Sequence, residues 1–140
     1  MVVGDFVRAD LMSGESTVVH SFGSRVFASA NFGPNSLLVA VADRTIFRAD
    51  TRSDRREAWA TTEIDVTSIV RDPFTGHVLI TVRGGQIFEY TARGVRIREL
   101  ARAPASGRAA YAPDGFLYYL VAGFPTMGRV LRFELPTRLE

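Results

Sequence analysis

The sequence predicts an all-β fold built of repeated four-stranded antiparallel meanders. Short runs rich in Val, Ile, Phe and Tyr alternate with Gly, Pro, Asp and Asn, and no stretch keeps the spacing of an amphipathic helix. Two different apolar segments also recur in step, about every 40 residues. A repeat of this length is typical of arrays in which each unit is one supersecondary structure.

The repeat is visible in two separate strands. One segment, which we assign to the third strand of each unit, occurs at Phe6–Asp10, Ile46–Asp50, Ile87–Thr91 and Val130–Glu134. A second segment, assigned to the second strand, occurs at Leu37–Val41, Val78–Val82 and Leu117–Val121. Two segments that keep the same order and nearly the same spacing indicate a structural repeat.

We label the four strands of a unit A to D. In the first full unit they are predicted at Val26–Asn31, Leu37–Ala42, Thr45–Asp50 and Glu57–Thr61. The B strands are nearly continuous apolar runs, which predicts burial on both faces. Strand D carries Val19, Trp59 or Leu100 at matching positions, and we interpret Trp59 as a packing residue.

Residues 1–140 are interpreted as a single repeat domain. Strands C and D occupy 5–22, two complete units occupy 25–61 and 65–100, and a partial unit with strands A, B and C occupies 108–134. The chain therefore holds about three units.

The turn between strands A and B contains residues that favour tight turns, such as Pro113-Asp114-Gly115. A unit of four short strands with this turn resembles a β-propeller blade, in particular the NHL and gluconolactonase-like blades. The resemblance implies a partial propeller of about three blades. Because closed propellers typically need about four to eight blades, it also implies that the ring is completed by a homo-oligomer. A three-sheet sandwich or an unrelated small barrel is the alternative fold.

The same resemblance implies a binding face, since propellers usually bind at the channel mouth, where the D–A and B–C loops meet. The candidate binding residues on those loops are mostly charged, and two come from the long, apolar loop Gly123–Gly128. They are Arg25, Asp43, Arg44, Asp65, Arg83, Arg108, Phe124 and Met127.

The composition restricts the classes of partner that can be expected. All 17 basic residues are arginine, and 15 acids leave a net charge of only +2, which does not predict nucleic-acid binding. No apolar stretch is long enough for a membrane-spanning helix, and the first residues do not resemble a signal peptide, so a cytoplasmic location is favoured. The chain has no cysteine, which excludes disulfides and thiolate chemistry within it.

No standard catalytic, phosphate-binding or metal-binding motif is found. His20 and His77 each lack a second histidine or a carboxylate at ligand spacing in the sequence, so we assign no catalytic residue, metal or cofactor. The expected function is a non-catalytic binding or assembly module whose partners are other copies of itself and a protein, peptide or glycan. The alternatives are a metal-dependent propeller hydrolase or lactonase, with Asp43 and Asp65 as the candidate acids, and a fragment of a longer propeller.

Overall fold

The computed structural model describes residues 4–121 and 128–134. These residues form thirteen β-strands in four antiparallel sheets of two to four strands, and the strands of each sheet follow one another in chain order. The fold class is therefore all-β and made of repeated meanders, as the sequence predicts. The chain divides into two compact units, Met1–Glu63 and Ile64–Glu140.

The first unit contains a two-stranded sheet and a four-stranded sheet. The two-stranded sheet is β1 (Asp5–Ala9) and β2 (Ser16–Ser21). The four-stranded sheet is β3 (Val26–Asn31), β4 (Ser36–Val41), β5 (Thr45–Asp50) and β6 (Arg56–Thr61).

The two sheets of the first unit pack face to face. Phe22, Val39, Val41 and Ala49 form the buried core between them, and partly buried apolar residues that include Phe6 surround it. Burial of such side chains is the main favourable term in folding. Polar contacts fix the same pair of sheets, because the buried His20 donates from Nε2 to the backbone carbonyl of Asp50 at 2.7 Å. The guanidinium of Arg56 donates to the carbonyl of Ser21 at 2.9 Å.

The second unit contains a four-stranded and a three-stranded sheet. The first of these is β7 (Val66–Arg71), β8 (Val78–Val82), β9 (Gln86–Tyr90) and β10 (Arg96–Arg102). The second is β11 (Gly107–Tyr111), β12 (Leu117–Val121) and β13 (Arg129–Phe133).

A larger core joins the two sheets of the second unit. It is built on the fully buried side chains of Leu79, Ile87, Leu117 and Tyr119. A buried hydroxyl adds a polar link across the same interface, because the N–H of Ala109 in β11 donates to Ser68 Oγ in β7 at 2.9 Å. Ser68 and Thr81 in turn share a short hydroxyl–hydroxyl contact, so the N–H of β11 and both hydroxyls have partners inside the core.

The predicted strands of the first full repeat are confirmed to within one residue, and the last strand of the next repeat ends two residues later than predicted, at Arg102. Strand B of the first full unit runs over Ser36–Val41 rather than Leu37–Ala42, and strand D starts at Arg56 rather than Glu57. The B strands β4 and β8 are almost entirely buried, as their apolar runs predict. Trp59 is half-buried, and its ring lies 6.0 Å from that of Phe32.

Pairing between strands B and C keeps the same register in all three sequence repeats that contain both strands. Val39 is opposite Phe47 in β4–β5, and Ile80 is opposite Phe88 in β8–β9. The third repeat has the same pairing, with Tyr119 opposite Leu131. The repeat in the sequence is therefore a repeat in hydrogen-bonding register as well.

The terminal sheets differ from the complete ones in what covers them. In the three-stranded sheet, Leu120 is 51% exposed and Val130 is 66% exposed, although the equivalent residues of the complete sheets, among them Ile46 and Ile87, are buried. Val7 in the two-stranded sheet is 49% exposed. Within the second unit the reason is visible: Ile87 lies in the core between the two sheets, whereas no described sheet of that unit packs on the face that carries Val130.

Candidate functional site

In the first unit, the predicted binding residues lie around one tight turn. Asp43 and Arg44 form the β4–β5 turn, and the Asp43 carboxylate accepts a hydrogen bond from the N–H of Thr45 at 3.0 Å. The loop that carries Arg25 is tied to this turn, because the N–H of Ala42 donates to the Arg25 carbonyl at 2.8 Å. The structure therefore brings Arg25, Asp43 and Arg44 together.

Arg44 occupies an unusual backbone conformation. Its φ of 68° makes it the one non-glycine residue with positive φ among the described residues. The equivalent residue of the second unit is Gly85, with φ of 97°, and both N–H groups close the same turn by bonding to the carbonyl three residues earlier. Arginine is rare in this conformation, which favours glycine, and it holds the backbone of the turn in a strained but defined shape.

The second unit places its predicted residues in the same way. The N–H of Arg83 donates to the Asp65 carbonyl at 2.8 Å, and the guanidinium of Arg83 lies 4.0 Å from the Asp65 carboxylate. The Arg83 side chain is mostly exposed, so this ion pair is worth little in stability and leaves the guanidinium accessible to solvent. Arg108 lies on β11, opposite Leu120, and is exposed.

Within each unit, then, the D–A loop and the B–C turn meet, and exposed arginines lie on them. Exposed guanidinium groups can pair with carboxylate or phosphate groups of a partner. The role of these residues in binding stays a prediction. Phe124 and Met127, the two apolar candidates, lie outside the described residues.

A second cluster, which sequence reasoning missed, lies at the opposite end of the strands in the second unit. Glu89 in β9 is almost fully buried, and its two carboxylate oxygens have different partners. Arg98 Nε donates to Oε1 at 2.9 Å, and His77 Nδ1 donates to Oε2 at 3.0 Å. The expectation that no carboxylate lies near His77 is wrong, because an antiparallel pairing brings together residues twelve positions apart.

Glu89 also affects the pKa of a neighbouring tyrosine, Tyr111. Burial of Tyr111, followed by the negative charge of Glu89, raises the pKa of the Tyr111 hydroxyl well above its ordinary value. Burial, with a smaller contribution from Glu89, therefore favours the neutral form of Tyr111, while the Glu89 carboxyl is held between His77 and Arg98. Such a group stabilises the sheet only while all of its partners are present.

The equivalent end of the first unit carries an open groove of about 600 Å³. Its lining includes Phe32, Arg48, Arg55 and Glu57. The guanidinium of Arg48 lies 5.0 Å from the centre of the Phe32 ring, a cation–π contact. The lining contains both arginines and acids, so the groove does not select a ligand of one charge.

The described residues contain no group of three or more His, Cys, Asp or Glu side chains that is placed to hold a metal ion. In that part of the chain, no helix is long and apolar enough to cross a membrane.

No family model and no curated protein match the chain. Several solved structures share its fold, including the three that follow. One is hydrazine synthase of Kuenenia stuttgartiensis, with 15% identity and a TM-score of 0.71, where the match covers 90% of this chain and 43% of that chain. The computationally designed Ika8 protein has 18% identity and a TM-score of 0.58, with 78% of this chain and 35% of that chain covered. The designed Ika4 protein has 17% identity and a TM-score of 0.59, with 85% and 74% covered.

At these identities the likeness shows a shared all-β repeat fold and nothing about activity. The chain spans less than half the length of the hydrazine synthase chain and of the Ika8 chain. The resemblance to NHL and gluconolactonase-like blades stays a prediction, since no family model matches.

Proposed function

We propose that the chain is a non-catalytic assembly module, a partial β-propeller that completes its ring with a second copy of itself. The ring then presents the B–C turns and D–A loops to a protein, peptide or glycan. The exposed arginines on those loops, including Arg25 and Arg83, are the groups that would pair with acidic or hydrogen-bonding groups of that partner.

One observation carries this proposal. Leu120 and Val130 are half or more exposed, whereas Ile87, the equivalent of Val130 in the β7–β10 sheet, is buried in the core that joins that sheet to the next one. The position of Val130 is apolar in every repeat, and the position of Leu120 carries Ala40 in the first complete sheet and Thr81 in the second. The third sheet therefore presents two large apolar side chains on a face suited to packing against another sheet. An uncovered apolar face that is the counterpart of a buried one indicates an interaction surface.

The geometry of meanders favours a closed assembly. A sheet with an uncovered face or edge tends to recruit another sheet, and the propeller is the arrangement in which every sheet finds two neighbours. Each copy has four sheets, and its thirteen strands are enough for about three complete blades, so two copies fall within the range of closed propellers. Because the contact between unlike ends is head-to-tail, it produces a ring when the rotation closes.

The test is the mass of the protein in solution, measured by light scattering after size-exclusion chromatography at several concentrations. The wild type is expected as a dimer, and Leu120→Asp is expected to shift it to a monomer because a charge would be buried in the contact. Val95→Asp is the matched control. Val95 is 62% exposed but lies in the β9–β10 turn, so its replacement should leave the dimer intact.

A wild type that stays monomeric at all concentrations, with an unchanged β-sheet circular dichroism spectrum, contradicts the proposal. Equal loss of the dimer in both variants would place the contact elsewhere. Binding by the loop face is tested separately: Arg25→Ala together with Arg83→Ala should reduce binding to a mixed array of glycans and acidic peptides while the mass stays that of a dimer.

A further inference from the structure

We infer that strand β1 of one copy takes the place of β13 in the other copy, as the third strand beside β12. This inference deepens the proposed assembly and rests on it. It identifies the contact as an exchange of equivalent strands, in which the β1–β2 hairpin adds strands C and D to β11 and β12 of the partner. The product is a complete four-stranded sheet.

The sequence repeat makes β1 and β13 equivalent. Both are C strands of the repeated segment, and β1 has a strand partner on one side only among the described residues. The constant B–C register then fixes how β1 would pair with β12. The expected opposite residues are Phe6 with Leu120, Val7 with Tyr119, and Arg8 with Tyr118.

Strand pairing favours β1 over β13 at this position. In β13, Val130 is exposed and no fourth strand follows in the described part of the chain. Leu131 and Phe133 are partly buried on the core and would be replaced by Val7 and Ala9. The hairpin, in contrast, brings its own D strand, β2, which is already joined to β1 and carries the buried His20. Exchange therefore replaces an edge strand by a paired one.

The two uncovered apolar residues on either side of the exchange would both become covered. Val7 would lie on the same face as Tyr119, which packs on the β7–β10 sheet in its own unit. Leu120 would lie on the same face as Phe6, which packs against the β3–β6 sheet of the incoming copy. One rearrangement thus buries both side chains that the isolated chain leaves in water.

The polar residue at the third position of each C strand gives independent support. In β5, β9 and β13 this residue reaches the A–B turn of its own sheet: Arg48 lies over Phe32, Glu89 binds His77, and Arg132 lies 4.6 Å from the centre of the Phe116 ring. The equivalent residue of β1 is Arg8, and its two-stranded sheet has no A–B turn. Exchange would place Arg8 over Phe116 of the other copy, where Arg132 now lies.

The absence of cysteine allows a direct test of the register. Two single variants, Arg8→Cys and Tyr118→Cys, are mixed and oxidised, so each chain has one thiol and a disulfide between them is intermolecular. Side chains directly opposite in an antiparallel pair are close enough to be bridged with small adjustments. A covalent species of twice the single-chain mass is expected on a non-reducing gel.

Ala9→Cys mixed with Tyr118→Cys is the control, because a shift of one residue puts the side chain on the other face of the sheet. This mixture should yield no more covalent dimer than random collision gives. Should Tyr118→Cys fail to fold, Phe6→Cys with Leu120→Cys replaces the pair, and Val7→Cys with Leu120→Cys is its control.

Selective cross-linking of the in-register pair supports the exchange. A dimer by light scattering without selective cross-linking overturns the exchange and leaves the proposed assembly standing, since the sheets then stack without exchanging strands. A monomer under all conditions overturns both.

Discussion

The two complete sheets have the same order of strands, but the residues at one equivalent position make different kinds of contact. In the β3–β6 sheet the third residue of strand C is Arg48, exposed and stacked over Phe32. In the β7–β10 sheet it is Glu89, which is 2% exposed and held between His77 and Arg98. A repeat therefore fixes where a side chain points and which turn it reaches, while its chemistry is free to change.

The B–C turns show a second difference of this kind. Gly85 and Arg44 occupy equivalent positions with positive φ, but only glycine adopts that conformation without steric conflict. The turn geometry is thus imposed by the strands on either side and by the hydrogen bonds of the neighbouring loop. The B–C turn of the first unit therefore tolerates backbone strain at Arg44, whereas the equivalent turn of the second unit avoids that strain because it has glycine.

The largest effect is expected from Glu89. Glu89→Ala removes a buried carboxylate and leaves His77 and Arg98 without their shared partner, which should lower the free energy of unfolding by roughly 2–4 kcal/mol. The matched change in the other sheet, Arg48→Ala, removes one exposed cation–π contact and a long hydrogen bond of 3.4 Å to the Ser36 hydroxyl, and it should lower the free energy of unfolding by only about 0.5–1 kcal/mol. Urea unfolding of both variants measures the difference, and equal losses would break the comparison.

The next largest effect is expected at the B–C turns, where substitutions should change the free energy of unfolding in opposite directions in the two sheets. A Cβ on Gly85 would lie 2.4 Å from the backbone oxygen of Ala103, and the positive φ adds strain. Gly85→Ala should therefore destabilise by roughly 2 kcal/mol or more. Arg44→Gly should stabilise by about 0.5–1 kcal/mol, because it relieves the positive φ of a bulky residue.

Thermal unfolding of the two turn variants against the wild type is the measurement. A lower midpoint for Arg44→Gly would mean that its side-chain contacts outweigh the backbone strain. That outcome would make the arginine a structural part of the turn rather than a tolerated one.

The smallest effect extends the comparison to the third sheet, where the equivalent residue is Arg132. The Tyr118 hydroxyl donates to Asp114 at 2.6 Å, and this bond, followed by the N–H of Phe116 and with a smaller contribution from Arg132, lowers the pKa of Asp114 below 3.8. A lowered carboxyl pKa contributes stability above its unfolded value and loses it as pH falls through the folded value.

Tyr118→Phe removes the hydrogen bond at every pH. The difference in melting temperature between wild type and Tyr118→Phe should therefore be largest near neutral pH and should shrink as the pH is lowered below about 4. A difference that does not change with pH would show that the ionisation of Asp114 does not contribute through this bond.

Much of the fold was predictable because the repeat determines it. Apolar B strands must be buried on both faces, and turn residues such as Pro113 and Gly115 mark the ends of strands, so the boundaries follow within about two residues. The burial of Glu89 was not predictable from the polarity of its strand. Its partner His77 is twelve residues away, and only the antiparallel register places the two side chains side by side.

A signal for that cluster did exist in the repeat. When the C strands are aligned, one repeat has an acid, Glu89, where the others have arginine. In that same repeat a histidine, His77, ends the A–B turn. The candidate binding residues are a different case. Arg25, Asp43 and Arg44 meet as the loop order predicts, but their meeting is a consequence of the meander and does not depend on a ligand.

The central claim is that two copies close one ring of sheets. Small-angle X-ray scattering on the chromatographic peak, combined with its mass, tests that claim most directly. The account predicts a two-chain particle whose distance distribution is that of a compact disc, with the Leu120→Asp variant at half the mass. A monomer, or a two-chain particle with the extended distribution of a rod, would contradict it.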